Sequence, residues 1–161
     1  MINFEDLYDS YAQDVYRFSL FLSGDHDEAK DITSETFIRV WVRKNTVRTE
    51  TLKAYLFMIA RNVFLEKQRK MRRQVRLNDN YSDLTSLPEN IVESRLYLSR
   101  IWVKLRTLPE IDRTVFTLRV LHDLPYEEIA RMLGLSISTT KVKVHRIRKK
   151  MLGLDMDKEV N

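Results

Sequence analysis

The chain has 161 residues, which fits one ordinary domain or two very small ones and excludes a large multidomain enzyme. Hydrophobic residues make up 43% of it and charged residues 32%, with a formal net charge of +5, which is typical of a soluble, folded, basic protein. The chain contains no cysteine, which excludes disulfide frameworks, zinc sites with thiolate ligands and cysteine nucleophiles.

The first half of the chain has the apolar spacing of three helices. Glycine and proline occur only three times each, so we expect a mostly helical protein. Apolar residues three and four positions apart predict a first helix that ends at Gly24. Asp25 is placed to cap a second helix, over about residues 26–44, whose first turn is acidic. A third helix begins at Leu52, carries its apolar stripe to Phe64 and continues into a basic tail.

A polar segment divides the chain. Residues 74–90 lack helical periodicity and collect Asn, Asp, Ser and Pro, so we expect a flexible acidic linker there. Helical spacing resumes beyond it, with one short helix that starts at Pro109, and strand alternation is not seen. We therefore predict an all-α fold of two small helical modules, residues 1–73 and 91–155.

The second module ends in two helices that lie close together in the sequence. They are predicted over Tyr126 to Leu133 and about Ile137 to Leu152, separated by a three-residue turn that contains Gly134. This spacing is typical of a DNA-binding helix-turn-helix. Ser136 is placed to cap the last helix. The residues of that helix predicted to enter a major groove or to contact phosphates are Ser138, Thr139, Lys141, Val142, Lys143, Arg146, Lys149 and Lys150.

The sign of the charge alternates in blocks along the chain. Residues 1–36 contain nine acidic and two basic residues, whereas residues 61–76 contain seven basic residues and one acidic residue. Residues 77–94 carry four acidic residues and no Lys or Arg, and residues 134–150 carry six basic residues and no acid. Two basic segments on patterned helices favour a polyanionic partner over the alternative that they are only solvated helix faces.

Two short motifs resemble catalytic ones. His26-Asp27 resembles the dyad of metal-dependent phosphohydrolases, but the other two histidines belong to the second module. Ser138 and Lys141 have the Ser-x-x-Lys spacing of some acyl-transfer enzymes, without either companion motif. We interpret the first as a helix start and the second as a DNA contact, and we expect no enzymatic activity, cofactor or metal.

Several linked motifs resemble bacterial RNA polymerase sigma factors. Residues 27–41 (DEAKDITSETFIRVW) resemble sigma region two, and residues 52–62 (LKAYLFMIARN) continue it in that family's order. The motifs that resemble region four are LRTLP at 105–109, YEEIA at 126–130 and GLS at 134–136. The resemblance covers nearly all of residues 4–152. Two modules joined without regions one or three resemble the extracytoplasmic-function (ECF) branch of the family.

The resemblance implies a protein that binds core RNA polymerase and directs promoter-specific transcription initiation. In that family the second helix docks on a coiled coil of the polymerase large subunit. The polymerase-binding candidates that follow are Asp31, Ser34, Glu35 and Arg39. Phe37 and Trp41, on the same helix, are expected in the core. Family members are usually held inactive by an anti-sigma factor, so such a partner is implied as well.

The resemblance also implies two contacts with promoter DNA. The third helix and the loop before it would bind the minus-ten element, and the candidates there are Lys44, Arg48, Lys53, Arg61, Asn62 and Lys67. The last helix would read the minus-thirty-five element, and its candidates are Ser138, Thr139, Lys141, Lys143 and Arg146. Val142-Lys143 stands where the family often has Ser-Arg. Because a lysine cannot make the bidentate guanine contact of an arginine, the family's base preference does not transfer to this position.

Three other functions stay open from the residues alone. A stand-alone helix-turn-helix transcriptional regulator would bind duplex DNA without polymerase, and it would leave the first module unexplained. A phosphohydrolase built around His26 would lose metal-dependent turnover when that residue is changed. A helical adaptor with incidental basic patches would show little salt-dependent affinity for DNA.

The sequence also predicts a cytoplasmic protein without direct membrane insertion. No apolar run approaches the roughly 18 residues that a membrane helix needs. The N-terminus, MINFEDLYDS, is acidic, whereas a secretory signal begins with basic residues before an apolar segment.

Overall fold

The computed structural model describes residues 3–43, 52–77 and 94–159. Within these ranges the chain forms seven helices and no strand, which confirms the predicted all-α fold. The chain divides into two compact units, Met1–Glu89 and Asn90–Asn161.

The segment expected to form a linker overlaps the end of the third helix. Helix formation continues to Leu77, so the first four residues of the segment 74–90 are helical. These four residues include no glycine, proline or turn-forming side chain, and nothing in them stops the basic tail from propagating as a helix. The remainder of the expected linker, 78–90, lies outside the described residues.

The first unit is formed by α1 (Phe4–Ser23), α2 (His26–Val42) and α3 (Leu52–Leu77), which pack pairwise against one another. The predicted cap at each end of the α1–α2 turn is confirmed. Gly24 closes α1 in the left-handed conformation, with φ of 70°, which glycine adopts without steric strain. The carboxylate of Asp25 accepts a hydrogen bond from the backbone N–H of Glu28 at 3.0 Å and so begins α2.

The core of the first unit lies between its three helices. Its large, fully buried side chains include Val15, Phe18, Leu22, Ile32, Val40, Leu56, Phe57 and Val63. Phe18 of α1 and Phe57 of α3 pack with their ring centroids 4.8 Å apart. Full burial of a side chain of this size contributes roughly 1.5–3 kcal/mol, so the core determines which faces of α2 and α3 are left at the surface.

The expectation that Trp41 lies in the core is wrong, because its side chain is 50% exposed. Phe37, one turn earlier on α2, is buried as expected. Trp41 packs edge-to-face against Phe4, with ring centroids 4.8 Å apart. Phe4 is the first residue of α1, so Trp41 lies beside the beginning of that helix. Apolar periodicity assigned Trp41 to the correct side of α2 but carried no information about how far the neighbouring helix extends.

The second unit is formed by α4 (Ser94–Arg106), α5 (Glu110–Phe116), α6 (Tyr126–Leu133) and α7 (Ile137–Glu159). The end of α5 continues into a π-helical turn, Thr117–Leu121. Pro109 is the N-cap of α5, and the helix starts one residue after it. The last helix runs to Glu159, beyond its predicted end at about residue 152, because a single interior glycine such as Gly153 weakens a helix without ending it.

The core of the second unit lies under the helix-turn-helix. Its buried apolar side chains are Trp102, Leu105, Val115, Phe116, Leu118, Leu124, Ile129, Ala130, Val144 and Ile147. Helix α7 packs on both α5 and α6 through one face. Among the basic residues of α7 predicted to bind DNA, all but Lys143 are exposed: Lys141, Arg146, Lys149 and Lys150.

Candidate functional site

A groove of about 480 Å³ runs between α2 and α3 in the first unit. Its lining is formed by Asp31, Ser34, Glu35, Ile38 and Arg39 of α2 and by Val63, Glu66, Lys67 and Lys70 of α3. The α2 residues recur every three or four positions and therefore share one helix face. All four residues predicted to bind polymerase belong to this set, so the structure brings them together in one surface.

Arg39 joins the two sides of the groove through a network of hydrogen bonds. Its Nε donates to Oε1 of Glu35 at 3.1 Å, one turn earlier on α2. Its Nη1 and Nη2 donate to the two carboxylate oxygens of Glu66 on α3, at 3.3 and 2.6 Å. These hydrogen bonds raise the pKa of Arg39 and hold the pKa of the Glu66 carboxyl below its ordinary value. A planar guanidinium suits this two-point contact, so Arg39 fastens α2 to α3.

The remaining groove residues differ in their solvent exposure. Asp31 and Ser34 are exposed, and Ile38 exposes 57% of its surface beside them. Lys67, which the sequence analysis assigned to DNA, lines the same groove as the polymerase-binding candidates. The groove therefore combines an acidic edge on α2, an apolar residue and a basic edge that ends at Lys70.

Glu28 lies at the start of α2 in a less polar environment. Burial raises the pKa of its carboxyl, and the nearby charge of Asp25 raises it further, while Lys67 lowers it. Its buried Oε1 has no hydrogen-bond partner. A carboxylate in this position is destabilised by desolvation, so Glu28 favours the protonated form more than an exposed glutamate does.

The DNA-binding candidates on α3 do not form one patch. Asn62 is exposed, Arg61 is half-buried, and the Nζ of the half-buried Lys53 lies 5.9 Å from the ring centroid of Phe57. Lys53 and Asn62 are nine residues apart, which places them about 180° apart around the helix. Beyond them the exposed basic residues of α3 are Arg69, Lys70, Arg72 and Arg73. Lys44 and Arg48 lie outside the described residues.

The turn between α6 and α7 has the geometry that its sequence predicts. Gly134 closes α6 with φ of 67°, and the N–H of Leu135 donates to the carbonyl of Ala130 at 2.9 Å. The hydroxyl of Ser136 accepts a hydrogen bond from the N–H of Thr139 at 3.0 Å, which confirms Ser136 as the N-cap of α7. Because both caps are made by local hydrogen bonds, the turn fixes the direction in which α7 starts.

Four of the five candidates on α7 are exposed on its first three turns: Ser138, Thr139, Lys141 and Arg146. Lys143 differs from them because it is half-buried and forms an ion pair within the unit. Its Nζ donates to Oδ1 of Asp112 on α5 at 2.6 Å. This charge is therefore already paired inside the protein, while the other candidates face outward.

A second cluster surrounds Tyr126 at the start of α6. The guanidinium of Arg119 lies over its ring at 4.4 Å, and the Nζ of Lys141 lies 5.7 Å from the same ring centroid. Arg119 also donates to the carbonyl of Leu124 at 3.1 Å. These contacts tie the π-helical turn to α6 and hold Lys141 near the beginning of the helix-turn-helix.

The environment of His26 is explained by packing. The hydroxyl of Tyr16 and Nδ1 of His26 form a hydrogen bond, and the two rings stack with centroids 5.9 Å apart. Burial, followed by the charge of Asp27, raises the pKa of Tyr16. Within the ranges that the structure describes, no group of three or more His, Asp or Glu side chains could hold a metal ion. His26 is the first residue of α2, which agrees with its interpretation as part of a helix start. Its contact with Tyr16 joins the start of α2 to α1.

Three residues that contact the predicted site residues or line the same groove are not among the sequence predictions: Ile38, Glu66 and Asp112. Glu66 is 27 residues from Arg39, and Asp112 is 31 residues from Lys143, so no local pattern pairs them. The only readable signal was the spacing of Glu35 and Arg39, which predicts an ion pair between residues four apart on a helix.

Comparison with known proteins assigns both units to a family. Residues 7–74 match the family model of Sigma-70 region 2, and residues 98–151 match that of Sigma-70, region 4. The ECF RNA polymerase sigma factor SigM of Bacillus subtilis is 30% identical over 154 residues, which cover 93% of each chain. The chain belongs to the ECF family of RNA polymerase sigma factors. Members of this family direct RNA polymerase to promoters, and this confirms the predicted function in transcription initiation.

Other relatives of this ECF sigma factor agree over similar lengths. ECF sigma factor SigW of Bacillus subtilis is 29% identical over 158 residues, covering 90% of this chain and 84% of SigW. The solved structure of sigma factor RpoE from Bartonella quintana, in complex with the anti-sigma factor NepR, matches with a TM-score of 0.83. It is 27% identical and covers 94% of this chain and 98% of RpoE. A stand-alone regulator is not favoured, because the region 2 match accounts for the first unit.

Sigma factors are in general regulators of transcription and not enzymes. Among the described residues, no helix is both long enough and apolar enough to span a lipid bilayer.

Proposed function

We propose that this ECF sigma factor acts in the cytoplasm, without catalysis of its own, and binds core RNA polymerase through the α2–α3 groove. One observation carries the proposal: the four α2 residues singled out by the family resemblance all line that groove. Asp31, Ser34 and Ile38 supply an acidic, a hydrogen-bonding and an apolar contact that are open to a partner. Arg39 and Glu35 hold the groove in shape from within.

The second unit is proposed to bind the minus-thirty-five element through α7. Its exposed early turns offer hydrogen-bonding side chains at Ser138 and Thr139 and a cation at Arg146. The absence of acidic residues from 134 to 150 makes this helix compatible with the phosphate backbone. On α3, Arg61, Asn62 and the basic tail are proposed to contact the minus-ten strand.

An anti-sigma factor is the third proposed partner. The support is the structure of RpoE, which was solved with the anti-sigma factor NepR bound. We propose that such a regulator blocks the α2–α3 groove of this chain. In that case saturating core polymerase competes with the regulator, and substitutions at Asp31 weaken both interactions.

The polymerase-binding proposal is tested by two matched charge reversals. Asp31→Lys changes an exposed acidic residue in the groove, and Asp9→Lys changes an exposed acidic residue on α1 outside it. We expect Asp31→Lys to lower the affinity for core polymerase and the yield of run-off transcript, while Asp9→Lys leaves both near the native value. Equal behaviour of the two variants would overturn the assignment of the groove.

The DNA-binding proposal is tested with the assembled holoenzyme. Arg146→Ala on α7 should weaken promoter binding and reduce its salt dependence, because one phosphate contact is lost. Arg131→Ala, an exposed arginine near the end of α6, is the matched control and should have a smaller effect. Specific, nanomolar binding of the duplex by the free chain would instead favour a stand-alone regulator.

A further inference from the structure

The outward face of α7 has an apolar residue at its centre. Val144 and Ile147 are buried and define the side of α7 that packs on the rest of the unit. Each residue advances about 100° around a helix, so Val142 lies about 160° from Val144. Its side chain is 46% exposed. Ser138 and Arg146 lie one turn before and one turn after it on the same face.

The cation next to Val142 is directed elsewhere. Lys143 is rotated by about 100° from Val142 and pairs with Asp112 of α5 at 2.6 Å. Both side chains of this pair are partly buried, so moving Lys143 toward DNA requires breaking the pair. The centre of the outward face is therefore left to an apolar side chain that neither donates nor accepts hydrogen bonds.

Only one group on the base edges of the major groove matches such a side chain. The edges of guanine, adenine and cytosine present hydrogen-bond donors and acceptors, whereas thymine adds an apolar 5-methyl group. We propose that Val142 is a specificity residue that reads a thymine of the minus-thirty-five element through this methyl group. Asp112 supports that selectivity because it keeps Lys143 away from the base. The inference rests on the proposed entry of α7 into the major groove.

The experiment removes the methyl group and nothing else. A duplex library with a randomised minus-thirty-five region is first selected by transcription with core polymerase and this chain. Each thymine of the selected element, on either strand, is then replaced by uracil, and promoter binding by the holoenzyme is measured. We expect one of these replacements to weaken binding about fourfold, the ratio that burial of one methyl group gives.

Three variants show whether Val142 makes the contact. Val142→Ala should bind the thymine and uracil promoters equally, and Val142→Thr, which keeps one methyl group on a β-branched side chain, should retain part of the discrimination. Val103→Ala removes the same atoms from an exposed valine of α4 and should discriminate as the native chain does.

The inference is overturned if no uracil replacement weakens binding, if the selected elements lack thymine, or if Val142→Ala keeps the native discrimination. If the proposed function itself is wrong, the experiment gives a different result. In that case the selection yields no promoter-specific transcript, and Arg146→Ala has no more effect than Arg131→Ala. A sequence-specific transcript without a methyl effect would refute the role of Val142 alone.

Discussion

The contact between Arg39 and Glu66 allows a quantitative test of how the groove is held together. The perturbation is a double-mutant cycle of Arg39→Ala, Glu66→Ala and the double variant. The side chains are 33% and 52% exposed, so the pair belongs with surface ion pairs, whose coupling energies are about 0.2–1 kcal/mol. Its two-point geometry places it in the upper half of that range, and we expect a coupling of about 0.5–1 kcal/mol at pH 7.

Urea unfolding provides the measurement. The chain has two tryptophans, Trp41 in the first unit and Trp102 in the second. Trp102→Phe is introduced into the starting protein, both single variants and the double variant, so that only Trp41 reports fluorescence, from the first unit. The change in stability caused by Trp102→Phe is common to all four proteins and cancels in the cycle.

The pH dependence of the coupling has a defined sign. Arg39 lowers the pKa of Glu66 in the folded protein, so the pair stabilises the fold fully above about pH 4.5. The stabilisation is lost as the pH falls through the lower folded-state pKa, because the carboxyl is then protonated. Coupling below about 0.2 kcal/mol at pH 7, or coupling that persists unchanged in strong acid, would refute this account.

The same cycle, made with Trp102 retained, separates two roles of Arg39 in polymerase binding. If Arg39 acts by fastening α2 to α3, Arg39→Ala and Glu66→Ala weaken the affinity for core polymerase by similar factors, and the double variant is no weaker than either. If Arg39 instead contacts the polymerase directly, Arg39→Ala still lowers the affinity when Glu66 is already absent. We expect the first pattern, because the hydrogen bonds of Arg39 are made within the groove.

Three further predictions follow from single side chains. Glu28→Gln should stabilise the first unit at pH 7 and have no such effect well below pH 4.5. The pKa of Glu28 is raised in the folded protein, so its ionisation lowers the stability of the fold as the pH rises. Urea unfolding at both pH values is the measurement. Ser136→Ala should cost the second unit about 1 kcal/mol through loss of the hydrogen bond from Thr139, measured by thermal unfolding. Asp112→Asn should release Lys143 and steepen the log–log salt dependence of promoter binding by about 1; an unchanged slope would contradict the pairing of this lysine.

The parts of the fold that could be predicted are those whose causes are local. Gly24, Asp25 and Ser136 were placed correctly because a cap depends on a residue's own backbone conformation or on a hydrogen bond only three residues away. The buried faces of the helices could also be predicted, because the spacing of apolar residues along one helix is a local pattern. The end of α7 lies seven residues beyond its predicted position at about residue 152, because one interior glycine does not end a helix.

The parts that could not be predicted depend on contacts between distant segments. The sequence shows that Arg39 lies on a charged face of α2, but its partner Glu66 is set by how α3 packs 27 residues later. The exposure of Trp41 has the same origin, since it depends on where α1 begins. Lys67, a DNA-binding candidate, also lines the α2–α3 groove, a position that charge density along α3 does not predict because it does not distinguish one helix face from another.

The charge blocks therefore indicate the class of partner but not the contacts that select it. Within the basic block of α7, Lys143 is paired with Asp112, and Lys141 lies beside the ring of Tyr126. Non-specific attraction to a phosphate backbone depends on the total charge and tolerates such internal contacts. Base selection depends on the few side chains at the centre of the exposed face, where the structure places Val142. We therefore expect an uncharged residue of this basic helix, Val142, to distinguish one promoter from another.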